Sequence, residues 1–286
     1  MKTIRIIPRL DIKGPNLVKG IHLEGLRVLG RPESFARHYY EQGADELLFQ
    51  DTVASLYQRN NLAEIVKKTA ENIFVPLTVG GGIRSLEDIN RVLRAGADKV
   101  AINTAAIANP DFINKASETF GSSTIVVAVE VIRQADGSYL LYTDNGREHT
   151  GINAFSWIKE VEQRGAGEIL LTSIDSEGTG KGFDLSLLEE VSDLISIPLI
   201  AHGGAASVKQ IYDAVINGKA DAVALASMLH YTTINQLREM TDSSFEEGNI
   251  EFLSRGLESS RKFGTHNLIE IKNQLTLLSI PIRELP

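Results

Sequence analysis

The chain of 286 residues contains no cysteine, one tryptophan and three methionines, and it has no long apolar run. Without cysteine there is no disulfide, no thiolate nucleophile and no cysteine-ligated metal. The six histidines show no metal-ligand spacing, so neither a metal nor another cofactor is expected. No stretch reaches membrane-spanning length. The N-terminus MKTIRIIPRLDIKG carries a charge every few residues, where a secretion signal needs its apolar centre. These absences predict no membrane partner and a cytoplasmic address. Excess positive charge is also missing: the net charge is -8, which disfavours nucleic acid as a partner.

What is present is a composition, 43% apolar and 23% charged, that can bury a large core. Short runs rich in Val, Ile and Leu alternate with amphipathic segments, the pattern of βαβ units around a parallel sheet. Eight such runs fall near 4–10 (IRIIPRL), 46–51 (ELLFQD), 75–80 (VPLTVG), 98–103 (DKVAIN), 124–130 (TIVVAVE), 168–173 (EILLTS), 197–202 (IPLIAH) and 221–226 (DAVALA). Helical patterns such as SLEDINRVLRAG and AFSWIKEVEQRG lie between them and end on a glycine suited to a helix C-terminus. Eight strand-helix pairs predict an α/β fold, a (β/α)8 TIM barrel, with an open doubly wound sheet as the rival. One barrel domain is expected over 1–286.

The two halves of this pattern repeat. PLTVGGGIRS at 76–85 returns as PLIAHGGAAS at 198–207. At nearly the same separation Asp11 faces Glu130, Glu46 faces Glu168, and Asn103-Thr104 faces Ala226-Ser227. This is the signature of a two-fold half-barrel repeat. The paired groups fall at strand C-terminal ends, where barrels build active sites. Glycines there let backbone N–H groups approach an anion, so two turns in register predict two phosphate cradles. The expected ligand is a long bisphosphate with its reactive middle near Asp11 and Glu130. Two carboxylates serve as general acid and base if their surroundings separate their pKa values. Lys19, in the loop after the first strand, could neutralise substrate phosphate or order that loop over the ligand. At the strand starts Arg5, Glu46, Lys99 and Glu168 supply two charges of each sign, which a barrel interior tolerates only in pairs.

The stretches LDIKGPNLVKG, DELLFQDTVAS, TVGGGIRS, GADKVAINTAA, RGAGEILLTSIDSEGT and GGAASV resemble the HisF family, the cyclase subunits of imidazole glycerol phosphate synthase. The likeness runs over roughly 1–230 and resumes from about 267 to IPIREL. It implies a lyase of histidine biosynthesis that takes ammonia from a glutaminase subunit, HisH-like, as a heterodimer. The substrate it implies is phosphoribulosyl-formimino aminoimidazole carboxamide ribonucleotide, a bisphosphate. The resemblance makes Asp11 the first-strand catalytic aspartate and Lys19 a mobile-loop lysine. It assigns Gly82, Asn103 and Thr104 to one phosphate, and Gly178, Gly204, Ala226 and Ser227 to the other. Arg5, Glu46, Lys99 and Glu168 match an ammonia gate, and Asp98 a position where the glutaminase docks.

The chain departs from the family at three places. Glu130 stands where the family has a second catalytic aspartate, and His202 replaces a serine in the second phosphate turn, where it could still donate to phosphate with pH dependence. Residues 231–265 form an insertion after the eighth strand that reads as one or two polar helices. Glu130 and His202 keep open an alternative, an ammonia-using paralogue acting on another substrate, such as one forming acetamidino sugars for surface polysaccharide. A catalytically silent barrel that only binds a phosphorylated metabolite is a further alternative, against which the charged gate argues.

Overall fold

The computed structural model describes residues 2–54, 62–240 and 266–283. Parallel strands covered on both faces must be apolar almost throughout, and segments such as LLF, LTV, VAI and IVVAV meet that demand. They form β1 (Arg5–Lys13), β4 (Leu47–Asp51), β5 (Leu77–Gly80), β6 (Lys99–Ile102), β7 (Ile125–Arg133), β10 (Glu168–Ser173), β11 (Leu199–His202) and β12 (Ala222–Leu225). Each pairs in parallel with the next, and β12 returns to β1 through Arg5↔Ala222 to Pro8↔Leu225, so the sheet closes into the expected barrel.

Both half-barrels also carry an antiparallel extension that the sequence reading lacks. After β1 the chain forms β2 (Asn16–Ile21) and β3 (Glu24–Gly30); after β7 it forms β8 (Tyr139–Thr143) and β9 (Glu148–Asn153). β2 pairs with the end of β1 at Asp11↔Val18, and β8 with the end of β7 at Glu130↔Tyr142. The repeat therefore includes these ribbons, and each one rises beside one of the two carboxylates.

The helices start and stop by local rules. Ser85 caps the helix Leu86–Arg94 by accepting from Asp88 N at 3.1 Å, and in the second half Ser207 caps Val208–Ile216 in a full capping box with Gln210. Returning to the strands, Asp45, Asp98 and Asp221 accept from Ile6 N, Leu77 N and Leu199 N at 2.8, 2.8 and 2.9 Å. Each of these carboxylates ties a strand start to its neighbour.

Inside the barrel the layers differ in chemistry. Arg5, Glu46, Lys99 and Glu168 lie at the N-terminal end. Above them Ile7, Leu48, Ala101, Val126, Ala128, Leu170, Ile200, Ala222 and Ala224 make an apolar cluster apart from the main core. The main core lies between strands and helices, with Ile6, Phe49, Val127, Trp157 and Leu187 among its members. The helix Leu268–Leu277 joins it, and its buried Lys272 donates to Gly43 O at 2.9 Å and Asp45 Oδ1 at 2.8 Å. Of the insertion expected at 231–265, residues 231–240 continue the helix Ser227–Met240 that follows β12, and 241–265 lie outside the described residues.

Candidate active site at the C-terminal end of the barrel

Glycine turns follow β5 and β11. Gly81 and Gly82 have φ of 100° and 69°, Gly203 and Gly204 of 106° and 102°, a region that favours glycine. The turns are also packed. A Cβ on Gly81 would lie 2.4 Å from Asp51 O, and one on Gly204 2.0 Å from Gly182 O. The first turn opens into a cavity of about 340 Å³ lined by Gly82, Asn103, Thr104, Glu130 and Asn145 among others. Two acceptors on this wall, Asn103 Oδ1 and Asn145 Oδ1, are buried without a hydrogen-bond partner among the described residues. The second turn borders a cavity of only about 20 Å³, lined by Gly178, His202, Gly204, Ala226, Ser227 and Glu177 among others. The structure thus gathers each predicted phosphate set, one in an open half of the mouth and one in a tight half.

Asp11 is buried on β1. Arg9 Nε donates to its Oδ1 at 2.9 Å, and Lys19 Nζ lies 3.5 Å from its Oδ2. Burial alone would raise this carboxyl, but Arg9, Lys19 and the Arg9 hydrogen bond hold it well below the usual carboxylate range. Glu130 lies four barrel strands away on β7, across the barrel. It accepts from Gly146 N at 3.0 Å, and burial pushes it up to about 7 against the attraction of Arg9 and that hydrogen bond. Asp11 and Asp144 add to the rise. The two carboxyls therefore sit in environments that separate their pKa values.

Lys19 is placed differently from the expectation. It lies in β2, is fully buried, and pairs with Glu177 as well as Asp11. Pairing of β2 with β1 draws it inward, and it lines neither cavity. His202 is also buried, and burial and the neighbouring Arg9 hold its pKa well below the ordinary histidine value.

Several residues were not singled out from sequence. Arg9 joins the two halves, with Nη1 3.0 Å from His202 Nδ1 and 3.5 Å from Thr172 Oγ1. Its signal was legible: alternation puts a charge at position 9 on the interior face shared by Arg5 and Asp11. Glu177 pairs with Lys19 and accepts from Leu23 N at 2.9 Å, fastening the β2–β3 ribbon over the second turn. A Cβ on Gly178 would lie 2.7 Å from Gly20 O of that ribbon. Asn145 reaches the same ribbon by donating to Leu23 O at 3.1 Å.

At the opposite end the four predicted charges form a closed ring. Arg5 bonds Glu46 at 2.8 Å and Glu168 at 3.0 Å, while Lys99 bonds Glu46 at 3.1 Å and Glu168 at 2.9 Å. Asp98 is exposed at the same end, beside Phe74, which is 80% exposed; both line a surface hollow of about 360 Å³.

Residues 5–235 match a family model described as "Histidine biosynthesis protein". The chain is 60% identical over 210 residues to the imidazole glycerol phosphate synthase subunit HisF of Legionella pneumophila, covering 73% of this chain and 99% of that one. It is 48% identical over 235 residues to the subunit of the same name from Alkaliphilus metalliredigens, covering 82% and 93%. Against the HisF of Methanocaldococcus jannaschii the identity is 47% over 260 residues, covering 84% and 96%.

Proposed function

This chain belongs to the HisF family of imidazole glycerol phosphate synthase subunits, and from that premise we propose how its residues divide the work. The enzyme is the cyclase of histidine biosynthesis: with ammonia it converts phosphoribulosyl-formimino aminoimidazole carboxamide ribonucleotide into imidazole glycerol phosphate and aminoimidazole carboxamide ribonucleotide. As a subunit it acts in a complex, and in our reading the other chain is a glutaminase in a one-to-one assembly.

The substrate's phosphates are held at the two glycine turns, one end by Gly82, Asn103 and Thr104, the other by Gly178, Gly204, Ala226 and Ser227. Its ketose carbon then lies between Asp11 and Glu130. Addition of ammonia to a carbonyl needs a group that removes a proton from nitrogen and returns one to the departing oxygen. Glu130, poised at about 7, suits both tasks. Asp11 stays a carboxylate and steadies positive charge as it develops on nitrogen. Ammonia from the partner passes the ring of Arg5, Glu46, Lys99 and Glu168 and crosses the apolar layer, four of whose nine side chains are alanine. Asp98, with Phe74 and the hollow beside them, is where the glutaminase docks.

The observation that carries this reading is the pair of glycine turns flanking two carboxyls, one held well below the usual carboxylate range and the other raised to about 7. Its test is product formation by the purified chain alone, given an ammonium salt at alkaline pH and the ribulosyl substrate. Imidazole glycerol phosphate should form without a partner. No turnover above background overturns the reading.

A further inference from the structure

Arg9 is enclosed at 1% exposure, and all its polar neighbours belong to the catalytic end of the barrel. A guanidinium has only donors, so where Nη1 meets His202 Nδ1 at 3.0 Å the imidazole nitrogen must be the acceptor. The ring proton of His202 then sits on Nε2. Thr172 Oγ1 lies 3.2 Å from the same Nδ1, so that nitrogen is fully occupied. His202 is buried at the end of β11 and borders the second glycine turn together with Gly203, Gly204 and Ser227. The other end of the guanidinium is not satisfied: Nη2 is buried and has no hydrogen-bond partner among the described residues. A buried charged donor left unpaired is costly unless an acceptor arrives.

We infer that Arg9 and His202 act as one substrate-recognition element: Arg9 fixes His202 as a neutral imidazole that offers Nε2–H to the phosphate of the second turn, and its own free Nη2 takes an oxygen of the same substrate. The serine-to-histidine departure at 202 is on this view half of a pair. Imidazole reaches further than a hydroxymethyl group, and it is a dependable donor only while its other nitrogen is held. The charged groups facing the ring are Arg9 and Asp11 on β1, Lys19 on β2 and Glu177 after β10. Burial and Arg9 oppose a second proton on the ring most strongly, Lys19 adds to them, and Asp11 works against them.

The inference rests on the reading of this end of the barrel as the bisphosphate site, and its experiment separates the two. The imidazole nitrogens of His202 are followed by 15N NMR in the full chain from about pH 5.5 to about 8, with and without inorganic phosphate as the probe. The wild type should keep the neutral Nε2–H form throughout, and phosphate should shift Nε2. In Arg9→Met the ring should titrate within that range, and the KM for substrate should rise about tenfold while kcat falls less. Arg9→Lys keeps the charge without the fork and should not restore KM; rescue by lysine would mean that Arg9 only balances charge. If Arg9→Met does not fold, the wild-type spectra and the lysine variant still decide. A wild-type ring that titrates near neutrality, or carries its proton on Nδ1, overturns the inference. Phosphate that leaves Nε2 unmoved overturns the recognition role, whereas failure of the cyclase reading appears separately as absent product.

Discussion

Replacing Glu130 by glutamine should stabilise the protein, and by an amount that depends on pH in one direction only. The carboxyl rises from an ordinary 4.5 to about 7 because it is buried, a rise that the hydrogen bond from Gly146 N only partly offsets. Between those values the folded chain holds a proton that the unfolded chain has lost, so wild-type stability falls as pH increases and the loss is complete above about 7. At about 1.4 kcal/mol per pH unit, the whole rise corresponds to about 3 kcal/mol. Glutamine has nearly the same shape, still accepts from Gly146 N and carries no charge. The stability difference between Glu130→Gln and wild type should therefore be near zero at about pH 4, grow through the window from 4.5 to about 7, and level off at about 3 kcal/mol. Urea unfolding of both proteins at matched pH values measures this difference, and the titrations shared by both cancel. A difference that is flat with pH, or that shrinks as pH rises, would refute the assignment of Glu130 as the proton-exchanging group.

Asp11→Asn should lower ammonium-driven product formation by about a thousandfold while substrate binding, followed by calorimetry, changes little, because the glycine turns are untouched. The same change leaves Arg9 and Lys19 short of a counter-charge, so a drop of about 3 kcal/mol in stability should accompany it. Gly81→Ala forces a Cβ to within 2.4 Å of Asp51 O at a φ of 100°, and should cost about 3 kcal/mol in denaturant unfolding. Lys99→Ala opens the ring and leaves Glu46 and Glu168 sharing Arg5; turnover with free ammonium should change little, whereas with glutamine and the partner glutamate should be released faster than imidazole glycerol phosphate. Tight one-to-one release of both products in that variant would mean that ammonia enters elsewhere.

The parts of the fold that could be read from sequence are those where one local rule dominates. Barrel strands are apolar on both faces, and their runs fall within a few residues of the observed limits. The charged ring was visible because charges at strand starts must be paired if they face inward, and the repeat brought Glu46 and Glu168 into equivalent places. The two ribbons were not visible in the same way. NLVKGI and EHTGIN alternate weakly and carry turn-like residues; the first pairs with the end of β1, and the second only with β8, which itself pairs with the end of β7. Missing the first ribbon is what left Lys19 in a loop, since only the pairing with β1 turns it inward. Arg9 was passed over for a related reason. Alternation with Arg5 and Asp11 does place it on the interior face, but its partner His202 comes from the far half of the chain and only the fold brings the two together.

The equivalence of the halves raises a question that their differences answer. A two-phosphate substrate placed between two identical cradles could bind either way round, yet ring closure needs one orientation relative to Asp11 and Glu130. The halves have kept their shared framework, the serine-capped helices, the glycine turns and the antiparallel ribbons. They have parted in what faces the ligand. The first turn opens on about 340 Å³ walled by both halves, with the amide oxygens of Asn103 from the first and Asn145 from the second lacking a partner among the described residues; the second turn borders about 20 Å³ beside the ion-paired group of Arg9, Lys19, Asp11 and Glu177, with the first half's ribbon fastened across it. In the proposed reading the ring-bearing end takes the larger cavity and the compact phosphate end the smaller. Burial raises Glu130 to about 7 because it has no ion pair among the described residues to offset it, whereas Arg9 and Lys19 pair with Asp11 and hold it low. On the proposed reading, the direction of binding and the division of acid-base labour follow from the same divergence between two copies of one half-barrel.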